Sequence, residues 1–176
     1  MKVLIVFETV EGQTRKIADF LERQIRSAGH DLHLFNTEDR VRSLSFDGFD
    51  RVVLAAPVHE RRHPKNFEGF VSASRTELMA LPTLLISVSL KAAFPDGLEE
   101  AQDYLTEMEM RTGFEPNREV LVAGAVRTSC YGYYESQIVQ NVALAGHEIE
   151  LTDGVREFTD WEALGIELEA FLEAEL

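Results

Sequence analysis

Two kinds of segment alternate along the chain. Unbroken apolar runs at Lys2–Phe7, Asp50–Ala56, Thr83–Ser89 and Glu119–Val126 are rich in Val, Leu and Ile and read as strands buried on both faces. Asp31–Asn36, with Leu32, Leu34 and Phe35, reads as a further strand. Between them the apolar positions recur at helical spacing. Gln13–Ala28 places Ile17, Phe20, Leu21, Ile25 and Ala28 on one face, with Gly29 positioned to stop the helix. Pro64 or Lys65 opens a second helix with Phe67, Phe70, Val71 and Leu78 inward, closed by Met79–Pro82. A third, from about Pro95 to Arg111, turns Leu98, Ala101, Tyr104, Leu105 and Met108 inward. Thr159-Asp160-Trp161-Glu162 has the form of a capping box and starts a last helix that buries Trp161, Leu164, Leu168, Phe171 and Leu172.

Strands alternating with helices through right-handed crossovers predict a doubly wound, five-stranded parallel α/β sheet in the order 2-1-3-4-5. Its ligand is expected outside the carboxyl ends of strands one and three. The 176 residues are expected to form one domain, residues 1–176. One connection is too long for this plan, the excursion Arg127–Phe158 after strand five. It starts with Thr128-Ser129-Cys130-Tyr131-Gly132-Tyr133-Tyr134, continues as a helical run over Glu135–Ala145, and ends in a β-like stretch near Ile149–Leu151. Tyr131, Tyr133 and Tyr134 either stack on an aromatic substrate or pack the excursion onto the sheet.

The joint between the first strand and helix carries the most specific chemistry. Thr9-Val10-Glu11-Gly12-Gln13-Thr14 sets two hydroxyls about a glycine just where backbone N–H groups and the positive end of a helix dipole converge, an arrangement suited to a phosphate. It is neither G-x-G-x-x-G nor G-x-x-x-x-G-K-[ST], since Gly12 stands alone and no Gly-Lys pair follows. The pattern aromatic-x-Thr-x-x-Gly-x-Thr-x-x-x-Ala-x-x-Leu, carried by Phe7, Thr9, Gly12, Thr14, Ala18 and Leu21, resembles the FMN-phosphate loop of the flavodoxin superfamily.

Other chemistries find little support. His59 and His63 have an i, i+4 spacing, but Pro64 argues against a helix there, so no metal site is expected. Ala55-Ala56-Pro57 stands where a phosphoreceiver would need an aspartate, and no serine sits in a G-x-S-x-G elbow. Cys130, the single cysteine, cannot form an internal disulfide, and no apolar run reaches the length of a membrane span. Met1-Lys2 leads directly into a strand, and a cytoplasmic location without a signal peptide is expected. The net charge of −14 argues against nucleic acid as a partner. From Glu148 to Leu176 ten acidic residues face Arg156 alone, a face that either keeps the chain soluble or steers a basic partner.

Beyond the first loop, the chain resembles the menaquinone-dependent protoporphyrinogen IX dehydrogenases, a branch of the flavodoxin superfamily. The likeness extends from Val6–Arg15 through Phe49-Asp50-Arg51-Val52-Val53, Ser87-Val88-Ser89-Leu90 and Ala123-Gly124-Ala125-Val126-Arg127 to the tyrosines of the excursion and Thr159–Glu162. The resemblance implies a flavodoxin-like fold and FMN held between three loops. Thr9, Val10, Glu11, Gly12, Gln13 and Thr14 would take the ribityl phosphate. Pro57, Val58, His59 and Glu60 would flank the isoalloxazine, while Ser87, Val88, Ser89, Leu90, Lys91 and Arg127 would help close the pocket. It implies oxidation of protoporphyrinogen IX, a porphyrinogen-like small molecule, with quinone as electron acceptor. No catalytic side chain is assigned.

Two departures from the family pattern stand out. Glu60-Arg61-Arg62 occupies a turn where the family has an aromatic residue and a glycine, and the excursion holds no Lys or Arg between Thr128 and Glu150. The second departure removes the basic face that would suit an anionic membrane. An arginine of the turn is expected to face the flavin edge, offsetting the negative field. Two alternatives stay open at this point: an FMN electron carrier docking on a basic redox-partner protein, and a flavin-free member of the family.

Overall fold

In the computed structural model, which describes residues 1–39, 44–127, 147 and 150–175, a parallel sheet is built from β1 (Lys2–Phe7), β2 (Asp31–Asn36), β3 (Arg51–Pro57), β4 (Thr83–Ser89) and β5 (Arg118–Ala123). Their order is β2-β1-β3-β4-β5, as the alternation of strands and helices predicted. Every residue of β4 is buried, as are the middle residues of β3 and all but the first of β1, whereas β2 at the edge is mixed. The continuous apolar runs of β1, β3 and β4 thus mark strands covered on both faces, whereas the run in β5, at the opposite edge of the sheet, is only partly buried.

One cover consists of α1 (Gln13–Ser27) and α5 (Trp161–Glu173). Ile17, Ala18, Leu21 and Ile25 of α1 and Leu164, Leu168 and Phe171 of α5 close over Val3, Ile5, Val53, Leu84 and Ile86 of the sheet. The opposite cover consists of α2 (Lys65–Ala73), α3 (Arg75–Leu78) and α4 (Leu98–Thr112), with Phe67, Val71, Leu78, Leu105 and Met108 over Leu4, Val6, Leu54 and Leu85. Each large apolar side chain fully buried in this way contributes roughly 1.5–3 kcal/mol.

Several expected boundaries shift for identifiable reasons. The expected Pro64–Leu81 helix is interrupted at Ser74, one of two serines in Val71-Ser72-Ala73-Ser74, though Ser74 N–H still bonds Phe70 O and its carbonyl accepts from Leu78 N. The helix expected from Pro95 begins as α only at Leu98, because Lys91–Ala93 and Pro95–Gly97 form 3₁₀ turns. Leu98 is consequently in the first turn and 46% exposed, not inward. The expected Glu119–Val126 strand splits at Gly124, whose N–H bonds Ser89 O and whose carbonyl accepts from Phe158 N. Beyond it, β6 (Ala125–Arg127) pairs antiparallel with β7 (Val155–Glu157).

At the last helix, Asp160 and not Thr159 is the N-cap, accepting Ala163 N–H at 3.0 Å. Thr159 instead donates to Ala123 O at 2.7 Å, pinning the helix to the end of β5. Cys130, Tyr131, Tyr133, Tyr134 and the helical run Glu135–Ala145 lie outside the described residues, as does Ile149. Glu150 and Leu151 are not strand; the pairing strand of this region is β7. Among the described residues no helix is long and apolar enough to cross a membrane.

Candidate functional site

Connections leave the carboxyl ends of β1 and β3 toward opposite sides of the sheet, opening a crevice between them. Phe7 pairs with Ala55, Pro57 with Val88 and Ser89 with Ala123, so the loops carrying Thr9–Thr14, Pro57–Glu60, Ser87–Lys91 and Arg127 all emerge at one edge. The predicted site residues therefore come together, and polar contacts tie their loops to one another.

The loop after β1 turns on itself, with Thr9 Oγ1 accepting Gly12 N–H at 3.0 Å. Gly12 has φ 90°, a left-handed conformation that glycine adopts without steric cost, and it begins α1. No side chain caps α1, and its first turn holds no carboxylate. Among the described residues its leading N–H groups are without a side-chain acceptor, as an anion site requires. Thr14 is buried within that first turn. Gln13 has turned elsewhere: its amide nitrogen donates to Glu157 Oε2 (3.0 Å) and Thr159 Oγ1 (2.9 Å), while its oxygen accepts from Arg127 Nη2 (2.6 Å). Glu157 also accepts from Lys16 and from Trp161 Nε1. Burial opposes ionisation of Glu157, but the bonds from Lys16, Gln13 and Trp161 outweigh it and hold the carboxyl below its usual range.

Glu11 Oε1 lies 3.8 Å from His59 Nε2, linking the first loop to the loop after β3. Val58 N–H bonds Val88 O at 2.7 Å, and Ser89 Oγ accepts Ala92 N–H at 3.2 Å, shaping the loop after β4. That loop closes tightly: a Cβ on Gly97 would stand 2.4 Å from Lys91 O, so only glycine permits this approach. Lys91 Nζ meets Glu100 Oε2 at 2.8 Å.

The departure at Glu60-Arg61-Arg62 proves to be a tight hairpin. His59 and Arg62 exchange both backbone hydrogen bonds, at 2.9 and 3.1 Å, about Glu60 (φ 49°) and Arg61 (φ 64°). These two residues adopt a left-handed conformation that side chains other than glycine occupy at a cost. Both arginines pair with carboxylates of the flanking helices. Arg61 Nη1 bonds Glu100 Oε1 at 2.5 Å, and Arg62 Nη2 bonds Glu68 Oε2 at 2.6 Å. Glu68 is buried and also takes Arg111 Nη2 at 2.8 Å; burial opposes its charge, but Arg111 and Arg62 prevail and hold its carboxyl low.

Under this hairpin, His63 and Ser87 are buried together, with Nε2 2.9 Å from Oγ. Burial pushes the His63 imidazole down to about 4, so it is neutral at physiological pH. Glu8 lies beneath the first loop, buried and bonded by Thr37 Oγ1 and by the Phe67 N–H in the first turn of α2. Burial pushes its carboxyl up despite those bonds. Among the described residues no cluster of three or more His, Cys, Asp or Glu is placed to hold a metal. The sequence reading did not anticipate Glu68, Glu100 or Glu157. Each has a partner distant along the chain, Arg111 for Glu68, Arg61 for Glu100 and Gln13 for Glu157, and no local motif marks such a carboxylate.

A doubly wound sheet in the order 2-1-3-4-5, with an uncapped helix start at its switch point, defines a flavodoxin-like protein. The flavodoxin-domain family model matches residues 4–148, and the chain belongs to that family. It is 31% identical over 164 residues to protoporphyrinogen IX dehydrogenase [quinone] of Escherichia coli K12, covering 92% of this chain and 90% of that protein. A protein of the same name from Leishmania major is 24% identical over 177 residues, covering 93% of this chain and 71% of the relative. Among solved structures, oxidised flavodoxin 1 from Bacillus cereus superposes with a TM-score of 0.59 at 16% identity, covering 100% of this chain and 99% of the other.

Proposed function

We propose that the chain is an FMN-dependent oxidoreductase of the protoporphyrinogen dehydrogenase type, converting protoporphyrinogen IX to protoporphyrin IX with a quinone as acceptor. The observation that carries this reading is the uncapped, carboxylate-free start of α1 in a chain 31% identical to a protein of that name. The donor set fits the cofactor's phosphate: N–H groups of the first turn of α1, with the Thr9 and Thr14 hydroxyls beside them. FMN, when bound, would supply the electron-accepting ring; the protein positions that ring and tunes it.

Thr9–Thr14 hold the phosphate end in this reading. Pro57, Val58, His59 and Glu60 form one wall of the ring site, and Ser87–Lys91 with Arg127 form the other. His59, whose Nε2 lies 3.8 Å from Glu11 Oε1, and Glu60 are the ionisable groups of the first wall. This reading takes the reaction to be cytoplasmic; among the described residues no helix is long and apolar enough to cross a membrane. Turnover of protoporphyrinogen IX with a soluble quinone analogue, followed by porphyrin fluorescence, tests the reading; FMN binding without turnover under these conditions would contradict the assigned reaction.

A second reading, an FMN electron carrier for a basic protein, is favoured by the net charge of −14 and the absence of Lys and Arg from Thr128 to Glu150. It predicts partner reduction that slows steeply with salt, since steering is screened beyond about 10 Å at 0.1 M.

A further inference from the structure

The hairpin after β3 poses a physical problem. Two consecutive residues with side chains, Glu60 and Arg61, hold positive φ, and nothing local to the turn compensates them beyond the His59–Arg62 hydrogen bonds. What the turn has instead is an anchor on each side. Arg61, at the second left-handed position, reaches Glu100 on α4 and lies over the Tyr104 ring, 5.4 Å from its centroid. Arg62, at the hairpin's closing position, reaches the buried carboxylate of Glu68 on α2, which Arg111 of α4 also grips.

Glu100 does more than hold Arg61. Its second oxygen takes Lys91 from the loop after β4, and Tyr104 donates to the same oxygen as Arg61. One carboxylate thus joins the hairpin to the loop that would form the facing wall of the ring site. Lys91 is itself fixed from behind, since its carbonyl packs on Gly97 with no room for a Cβ.

We propose that Glu100 and Glu68 are positioning residues of the cofactor site: they hold the His59–Arg62 hairpin in its left-handed form, as a substitute for glycine, and Glu100 sets that wall at a fixed spacing from Ser87–Lys91. The consequence for the ring rests on the functional reading above, whereas the anchoring of the hairpin does not. Strain that glycine would avoid is balanced here by side-chain anchors, so the anchors are dispensable only where the strain is removed.

The test uses the full chain and three variants, Glu100→Gln, Arg61→Ala and Arg61→Gly. Hydrogen exchange at the His59 and Arg62 amides, which bond one another across the turn, reads the hairpin without any cofactor. Glu100→Gln and Arg61→Ala are expected to speed exchange about three- to tenfold, matching a partly exposed ion pair working against backbone strain. Arg61→Gly loses the anchor and the strain at its own position together, leaving that of Glu60, and is expected to loosen the hairpin less than Arg61→Ala, staying within about twofold of the parent protein. Flavin titration and the two-electron reduction potential follow in the same set. Variants with a loosened hairpin should bind FMN several-fold more weakly and shift its potential, while the melting temperature stays within about 2–4 °C, the scale of a small loss in a chain of this size.

Unchanged exchange in Glu100→Gln, or a glycine variant as loose as the alanine one, overturns the anchoring. A loosened hairpin with unaltered FMN affinity and potential overturns the positioning role. Failure of the parent protein to bind FMN overturns the functional reading and, with it, the role at the ring, leaving the exchange data to judge the anchor alone.

Discussion

His63 Nε2 and Ser87 Oγ stand 2.9 Å apart beneath the β3–α2 hairpin, with 2% and 1% of their residues' surfaces exposed. The pair joins the end of the hairpin to a central strand in a place water does not reach. His63 Nδ1 has no partner among the described residues, so a second proton there would be buried without an acceptor.

This arrangement predicts acid sensitivity with a defined sign. Burial lowers His63 from 6.5 to about 4 in the folded protein, so between those values the unfolded chain binds more protons. The His63 contribution to stability is full above the unfolded value and falls as pH drops toward about 4, by an amount on the order of 3 kcal/mol. Urea unfolding of the parent and of His63→Gln across pH 4–7 should show the parent losing stability relative to the variant as the pH falls, the other titrating groups being common to both. Equal slopes in both would show that His63 titrates normally.

Glu109 gives the opposite slope. Burial, with the neighbouring Glu119, pushes its carboxyl up to about 8, so the folded protein keeps a proton that the unfolded chain releases near 4.5. The stabilisation is complete below 4.5 and lost as pH rises through about 8. Glu109→Gln, which mimics the protonated form, should melt higher than the parent at pH 9 and close to it at pH 4.5. A parent that gains stability from pH 6 to 9 relative to the variant would refute the raised carboxyl of Glu109.

Gly97→Ala probes the closure of the loop after β4. The added methyl carbon would stand 2.4 Å from Lys91 O, a backbone atom that cannot swing away. A loss of about 1–3 kcal/mol is expected from overpacking, read by thermal or urea unfolding. A neutral substitution would mean that the 3₁₀ turns shift freely.

Much of the architecture was legible from local pattern. β1 and β4 match the apolar runs residue for residue, since strands buried on both faces form continuous apolar stretches, and β2 matches the expected Asp31–Asn36 although it is a partly exposed edge strand. The convergence of Thr9–Thr14, His59 and Arg127 at one edge followed from topology, because loops leaving one end of parallel strands must share that end. What the pattern misread depended on distant partners. Thr159 resembles a cap, but its hydroxyl is drawn to Ala123 O and Asp160 takes the capping role. The Glu119–Val126 run reads as one strand, yet the Gly124 N–H and carbonyl bond Ser89 and Phe158, ending the sheet there. Arg61 and Arg62 gave no sign in sequence that Glu100 and Glu68 would claim them.

Thr14→Val separates phosphate recognition from folding. Valine keeps the shape of this buried residue but lacks the hydroxyl, and a hydrogen bond to a charged acceptor contributes about 1.5–3 kcal/mol. FMN affinity should fall by about ten- to a hundredfold while riboflavin affinity, which involves no phosphate, hardly changes. Equal losses for both ligands would assign Thr14 to the fold.

The central claim is that the loops gathered outside β1, β3 and β4 hold FMN. Titrating the purified full chain with FMN, and in parallel with riboflavin, while following flavin fluorescence tests it most directly. Saturable binding at one FMN per chain, with riboflavin weaker by the contribution of the phosphate, is the predicted result. Fluorescence that stays unchanged at FMN concentrations well above those of the protein, from a chain whose circular dichroism shows the sheet intact, would contradict it.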